Sequence, residues 1–307
     1  MKSFIYFLVL TVGIVSLSCS INDHPTFEEQ LLRISYTSKT DNTERDYFVY
    51  LPRGYDENSD KKWPVLMFLH GDGERGNGKE ELDYTLIHGP LYEAWIQKRD
   101  LPFIMIVPQL HMFGRDTLGI GYIDNRRSDM IPNRQSKGIP DRPDIFTSDQ
   151  PMHGAVPADS IPGSTHTDAG WDNLEEDLMA MIDKTLKDYN TDAKRVYLSG
   201  LSYGGFGTWY IASKYPESFA AINPIVGWGD PRLMESLASH KIPVWAFAGG
   251  RDNTVQVQYF FEGINKLVEL GNDKVRFTIH EDMGHDTWKR VYGGEDIYNW
   301  LLESTKE

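Results

Sequence analysis

The chain has 307 residues, of which 40% are hydrophobic and 25% are charged, and its formal net charge at pH 7 is −14. This composition is that of an ordinary globular protein. Binding to nucleic acid needs a concentrated basic surface, and no run of Lys or Arg here is longer than a pair, so nucleic acid is not expected as a partner.

Residues 1–18 have the features of an export signal. Lys2 precedes an apolar run that ends near Val15, and small residues then lead to Cys19. The run is too short for a convincing membrane span. Cys19 stands where a bacterial lipoprotein carries its lipid, although Ser16 stands where Leu is usual. We therefore predict a cell-envelope lipoprotein that contacts the membrane only through this anchor; the alternative is a plain secretory signal.

Cys19 is also the only cysteine of the chain, so an internal disulfide and a zinc site built from cysteines are both excluded. Residues 19–30 are polar and are predicted to form a tether. Residues 31–307 are predicted to form a single domain.

Strand-like and helical patterns alternate along this domain. The predicted strands are Leu32–Thr37, Asp46–Leu51, Pro64–Leu69, Phe103–Val107, Val196–Leu198, Val244–Ala248 and Val275–Ile279. The predicted helices are Asn173–Tyr189 with Asp172 as N-cap, Gly205–Lys214, Val257–Leu270 and Trp288–Leu302. This alternation predicts an α/β fold with a mostly parallel central sheet flanked by helices, whose ligands bind beyond the carboxyl ends of the strands.

Residues 109–170 interrupt the alternation, since they are rich in Pro, Asp, Arg and Gly and show little apolar periodicity. Structureless loops of this length are rare in compact domains and are usually functional or disordered. We interpret the segment as an insertion after the strand at 103–107. It is either a surface loop without a role or a loop that covers the substrate site.

The sequence Gly200-Leu201-Ser202-Tyr203-Gly204 fits the pattern G-x-S-x-G. It follows an apolar strand and opens a helical segment, which is the context of a serine nucleophile on a sharp strand-to-helix turn. The helix amino terminus adds positive potential where an oxyanion would form. Ser202 is therefore the predicted nucleophile.

A serine hydroxyl needs a base, and the base needs a carboxylate that orients it. His285 lies just after the last predicted strand, where the order Ser, acid, His places the histidine, and His280 is its main rival. Asp252 follows the strand Val244–Ala248 and is the predicted acid, with Asp230 and Asp282 as alternatives. Asp252 could instead cap the helix that follows it.

Two backbone N–H groups are needed to bind the oxyanion. Tyr203, the residue after the nucleophile, is predicted to supply one of them, and the loop after Leu69 the other, with Asp72 as the candidate and Gly71 or Gly73 as alternatives. His70 begins this loop, and it is interpreted either as a substrate contact or as a residue that shapes the loop.

Three segments resemble bacterial esterases of the α/β-hydrolase superfamily, and most nearly feruloyl esterases and polyhydroxybutyrate depolymerase-like carboxylesterases. They are YLPRGYD at 50–56, FLHGDGERG at 68–76 and GLSYGG at 200–205. The resemblance covers about residues 45–108 and 170–303. It implies hydrolysis of carboxylic esters through an acyl-enzyme, with no cofactor. The insertion 109–170 departs from the short connection expected there and leaves the substrate open.

The predicted substrate is a small-molecule or polysaccharide-linked ester, for example an acetyl or feruloyl ester of plant polysaccharide. Four tryptophans are candidates to stack on its sugar or phenolic ring, Trp171 and Trp228 first and then Trp209 and Trp288, although most of them could instead pack in the core or on a helix face. A serine peptidase of the prolyl-oligopeptidase-like type and a non-catalytic carbohydrate-binding lipoprotein are the alternatives. No metal is predicted, because His153, His166 and Asp168 of the insertion fit no ligand motif.

Overall fold

The computed structural model describes residues 27–136, 148–154, 156–162 and 170–306. The predicted export signal and Cys19 lie outside the described residues. One sheet forms the centre, with its strands in the order β1-β2-β4-β3-β5-β6-β7-β8. The strands are β1 (Gln30–Thr37), β2 (Glu44–Leu51), β3 (Trp63–Leu69), β4 (Ile104–Val107), β5 (Thr191–Leu201), β6 (Ala221–Ile225), β7 (Val244–Gly249) and β8 (Val275–His280).

The sheet is mostly parallel, as the alternation of elements predicts. Only the pairs β1–β2 and β2–β4 are antiparallel, and the other five pairs are parallel. All seven residues of β3 are buried, because helices cover both faces of a parallel sheet and leave no face for polar side chains. The seven predicted strands are all present, and β6 is an eighth that the sequence did not single out.

Helices pack on both faces of the sheet. They are α1 (Gly89–Leu91), α2 (Gly121–Asp124), α3 (Glu175–Asp188), α4 (Tyr203–Lys214), α5 (Met234–Ser239), α6 (Phe260–Glu269), α7 (Trp288–Gly293) and α8 (Asp296–Glu303). Successive side chains of β3 point to opposite faces. Val65 and Met67 belong to one core cluster, with residues of α3 to α6, and Leu66 and Phe68 to another, with residues of α1, α7 and α8.

All four predicted helices differ from the observed ones in their bounds, by one to three residues in α3, α4 and α6 and by a break in the last one. The chain first forms a 3-10 turn over Trp171–Leu174, so α3 begins at Glu175 with Leu174 at its N-cap, and the prediction of Asp172 as the cap is wrong. The predicted last helix is divided into α7 and α8. Gly294 has an extended backbone at the break, because two successive glycines, Gly293 and Gly294, destabilise the helical conformation.

The predicted tether also ends earlier than residue 30. The Phe27 carbonyl accepts a hydrogen bond from the Gly54 N–H, and Glu29 is buried, with ion pairs to Arg53 and Arg134. These contacts attach residues 27–29 to the domain. Gln30 is already the first residue of β1.

Candidate active site

Ser202 occupies a strained turn between β5 and α4. Its backbone has φ 51° and ψ −113°, a region that residues with a side chain rarely adopt. The two flanking glycines make this turn sterically possible. A Cβ on Gly200 would stand 2.2 Å from the Gly204 carbonyl oxygen, and one on Gly204 would stand 1.9 Å from that of Leu69. The spacing of the motif therefore follows from two close backbone approaches.

The three predicted catalytic side chains meet at the carboxyl edge of the sheet. Ser202 Oγ lies 2.9 Å from His285 Nε2, and His285 Nδ1 lies 2.7 Å from Asp252 Oδ2. Asp252 is fully buried, and its Oδ1 accepts hydrogen bonds from the backbone N–H groups of Thr254 and Val255. The carboxylate accepts a hydrogen bond from the Nδ1–H group, so Nε2 presents its lone pair to the Ser202 hydroxyl.

The rival residues are engaged elsewhere. Asp282 and Arg290 form two hydrogen bonds of 2.7 Å, and His280 lies 3.5 Å from the same guanidinium. Asp230 accepts hydrogen bonds from the backbone and side chain of Arg232. In the described part of the chain no hydrogen bond joins any of these rivals to Ser202, whose hydroxyl is paired with His285, and His285 is paired with Asp252.

His70 fixes the orientation of the peptide bond between Gly71 and Asp72. The Leu110 N–H donates to Nε2 at 2.9 Å, so Nδ1 carries the ring proton and donates it to the Gly71 carbonyl at 2.6 Å. Burial lowers the pKa of His70 to about 3, which keeps the ring neutral. In a planar trans peptide the N–H points away from the C=O, so the Asp72 N–H is directed away from His70.

This loop lies directly beside the nucleophile. A Cβ built on Gly71 would stand 3.7 Å from the Cβ of Ser202. Tyr203 is the first residue of α4, where the helix itself supplies no carbonyl acceptor and its dipole is positive. The residues predicted to form the oxyanion hole, Asp72 and Tyr203, therefore flank Ser202 on two separate elements.

Two of the three predicted substrate contacts need correction. His70 is fully buried and Trp171 is 1% exposed, and their rings pack edge to face at 4.9 Å. Neither ring can touch a substrate, because the surrounding core encloses both. Trp228 is 9% exposed and packs between Phe206 and Tyr259, with ring centroids 4.6 and 5.1 Å away, so its substrate contact stays a prediction.

Sequence reasoning placed Trp288 only among several aromatic candidates. Its ring lies 5.2 Å from that of His285, edge to face, and 5.4 Å from that of His88. Trp288 is half-buried, at the start of α7. Because the helix follows His285 after one short 3-10 turn, proximity in sequence was the available signal.

The described residues of the insertion contact three of the loops that carry the site. The Tyr122 hydroxyl donates to Asp72 Oδ2 at 2.6 Å. Farther along, the Ser148 N–H donates to the Asp282 carbonyl, and the His153 N–H donates to the Gly250 carbonyl in the turn before Asp252. These contacts favour the interpretation that the insertion covers the substrate site.

Within residues 27–136, 148–154, 156–162 and 170–306 no group of three or more His, Cys, Asp or Glu side chains is arranged to hold a metal ion. His166 and Asp168 lie outside these ranges. In the same ranges, no helix combines the length and the hydropathy that a membrane crossing requires.

Comparison with known proteins supports the same fold. The model of the prolyl oligopeptidase family matches residues 167–247. A bifunctional acetylxylan esterase/xylanase of Neocallimastix patriciarum is 37% identical over 79 residues, which are 25% of this chain and 11% of that protein. Feruloyl esterase B of Neurospora crassa is 45% identical over 60 residues, which are 20% of each chain.

The solved structure of a thermostable esterase superposes with a TM-score of 0.58 at 24% identity, covering 90% of this chain and 63% of that one. The predicted resemblance to α/β-hydrolase esterases is thus confirmed, and the chain has the α/β-hydrolase fold. The chain matches only a tenth to a fifth of the length of the two curated relatives.

Proposed function

We propose that this protein is a serine hydrolase that cleaves carboxylic esters through an acyl-enzyme. The observation that carries the proposal is the continuous hydrogen-bonded line from Ser202 Oγ through His285 to Asp252, with distances of 2.9 and 2.7 Å. An imidazole in this position can accept the serine proton while the buried carboxylate stabilises the resulting cation.

The proposed reaction begins when Ser202 Oγ attacks the ester carbonyl carbon and transfers its proton to His285 Nε2. The carbonyl oxygen becomes an oxyanion, and backbone N–H groups of Tyr203 and Asp72 stabilise it. Collapse of the intermediate breaks the bond to the alcohol oxygen, which leaves with the proton from His285. Water then attacks the acyl-enzyme by the same route, His285 accepts its proton, and the carboxylic acid is released as the serine hydroxyl is restored.

The proposed substrate class is an acetyl or hydroxycinnamoyl ester carried by plant polysaccharide. Two kinds of support point this way: the local identities with an acetylxylan esterase and a feruloyl esterase, and the aromatic group of Phe206, Trp228 and Tyr259 that begins one helical turn after Ser202. The same chain is proposed to be exported, with Cys19 as its lipidated residue, because residues 1–18 combine a positive start with an apolar run.

Hydrolysis of p-nitrophenyl acetate by the purified protein is the primary test. Ser202→Ala should lower kcat by up to about a millionfold, because among the described residues the Ser202 hydroxyl is the one that hydrogen-bonds to His285. Ser239→Ala, at an exposed serine at the end of α5, is the matched control and should keep wild-type kinetics. Undiminished hydrolysis by Ser202→Ala would remove the proposal.

A serine peptidase is the second candidate, and the match of residues 167–247 to the prolyl oligopeptidase family favours it. Methyl ferulate, acetylated xylan and a peptide p-nitroanilide separate the candidates when their kcat/KM values are compared. Faster release of the anilide than of any ester would favour the peptidase.

A further inference from the structure

Asp72 is held by side chains from two distant parts of the chain. Arg75, from its own loop, donates from Nε to Oδ1 at 2.5 Å. Arg115 and Tyr122, from the insertion, donate to Oδ2 at 2.5 and 2.6 Å. Both Arg75 and Arg115 also lie over the ring of Tyr203, with their guanidinium carbons 4.7 and 5.9 Å from its centroid.

Two guanidinium groups therefore face one carboxylate. Burial alone would raise the pKa of the Asp72 carboxyl, but the Tyr122 hydroxyl and the guanidinium groups of Arg75 and Arg115 outweigh it and lower the pKa, so the group is ionised at neutral pH. Charge-assisted hydrogen bonds of this kind are about twice as strong as neutral ones. The Asp72 side chain is thus fixed by three strong contacts, two of which come from the insertion.

We propose that Arg115 and Tyr122 are positioning residues, through which the insertion holds the oxyanion loop in its catalytic geometry. The inference rests on the proposed function, in which the Asp72 N–H binds the oxyanion. The carboxylate and the N–H belong to one residue, so a rotation of its backbone moves both. His70 fixes the peptide on one side of Asp72 and the insertion fixes the side chain on the other.

This arrangement predicts a particular kinetic effect. An oxyanion forms only after Ser202 has attacked, so a displaced donor weakens binding of the transition state and not of the substrate. Complete loss of one oxyanion donor costs about 10² to 10³ in kcat. Removal of one of the two contacts from the insertion should lower kcat about three- to tenfold, and removal of both should lower kcat about a hundredfold. KM should change less than about twofold in each case.

The competing explanation is direct contact with substrate, since the Tyr122 side chain is largely exposed, at 59%. A substrate contact that is equal in the ground and transition states would raise KM and leave kcat unchanged. An increase in KM alone for Tyr122→Phe and Arg115→Gln would therefore overturn the proposal.

The experiment compares Tyr122→Phe, Arg115→Gln and the double variant with Arg127→Gln. Arg127 is an exposed arginine of the same insertion whose ion pair with Asp129 is also exposed, so its variant is a matched control for loss of charge. Affinity for a phenylboronic acid, which forms a tetrahedral adduct on the nucleophile, should fall in parallel with kcat in the first three variants and stay constant in the control. Arg115→Lys should recover part of the loss, because it restores a cation that can donate to Asp72.

Amide hydrogen exchange over residues 71–76 gives a readout that does not depend on catalysis. If the contacts of Arg115 and Tyr122 with Asp72 act as a structural clamp on the loop, amide exchange should be at least about tenfold faster in the double variant than in Arg127→Gln. The reason is that their loss lowers the free energy of local opening of the loop. Unchanged exchange would overturn the proposal even if activity fell. A wild-type protein without esterase activity but with this difference in exchange would refute the proposed function and leave the structural clamp in place.

Discussion

Glu74 lies in the same loop as Asp72 and is buried, with 6% of its surface exposed. Its Oε1 is 3.8 Å from His88 Nε2 and its Oε2 is 4.0 Å from His70 Nδ1. Burial disfavours the ionised carboxylate and raises its pKa from the usual value of 4.5 to about 7. The change from Glu74 to Gln keeps the shape of the side chain and removes this titration.

The sign of the effect follows from linkage. In the folded state the Glu74 carboxyl keeps its proton up to about pH 7, whereas in the unfolded state it releases the proton near pH 4.5. Glu74 therefore adds to the free energy of unfolding below pH 4.5, and this contribution is lost as the pH rises through 7. The difference between a pKa of 4.5 in the unfolded state and one of about 7 in the folded state corresponds to about 3 kcal/mol in total. About 2 to 3 kcal/mol of it falls between pH 5 and pH 8, which corresponds to roughly 5 °C in Tm for a chain of this size.

The assay is urea unfolding of the wild type and Glu74→Gln at pH 5, 6, 7 and 8. We expect the wild type to lose about 2 to 3 kcal/mol relative to the variant over this range. Glu80→Gln, at an exposed glutamate six residues away, is the control and should track the wild type. A difference between wild type and Glu74→Gln that stays constant from pH 5 to pH 8 would refute the reasoning.

Three further predictions concern the turn at Ser202, the acid Asp252 and the half-buried His88. Gly204→Ala should destabilise the fold by about 3 kcal/mol, because its Cβ would overlap the last carbonyl oxygen of β3, whereas Gly73→Ala meets only one ring carbon at 4.0 Å; urea midpoints of the two variants check this. Asp252→Asn should lower kcat about 10⁴-fold with little change in KM, since the amide cannot hold His285 in the required tautomer, and a loss below about tenfold in steady-state assays would contradict the role. Burial lowers the pKa of His88 to about 4. The neutral ring therefore contributes to the free energy of unfolding above pH 6.5, and this contribution is lost as the pH falls toward 4. His88→Gln should reduce the fall in the urea midpoint between pH 7 and pH 5.

The hydrogen-bonded line from Ser202 through His285 to Asp252 was the most predictable part of the candidate site. Parallel strands bring their carboxyl ends to one edge of the sheet, so residues that follow β5, β7 and β8 in sequence must lie near one another. The apolar run before Ser202 identified β5, and the positions of Asp252 and His285 after later strands indicated them as the acid and the base. What remained open was which of several carboxylates and histidines turns toward the serine, because that choice depends on side-chain directions within each loop.

The roles of His70 and Trp171 could not be predicted, because both depend on burial. A histidine that opens a glycine-rich loop is equally consistent with a substrate contact and with a structural hydrogen bond. The deciding contact, the Leu110 N–H on Nε2, comes from a residue 40 positions away. Trp171 lies against Gly207 of α4, where a Cβ would stand 2.7 Å from the indole, so packing and not stacking on a ligand fixes its position.

The insertion was the least predictable segment, because contacts with the rest of the domain fix its conformation and its own sequence has little apolar periodicity. Its short helices bury few side chains, and polar contacts bind it to the body of the fold: Tyr122 and Arg115 to Asp72, and Arg126 to the Gly73 carbonyl and to Glu81. Polar contacts of this kind leave no hydrophobic pattern in the sequence. They connect a segment that we interpret as covering the substrate site to the loop predicted to bind the oxyanion, so we expect substitutions in the insertion to alter specificity and turnover together.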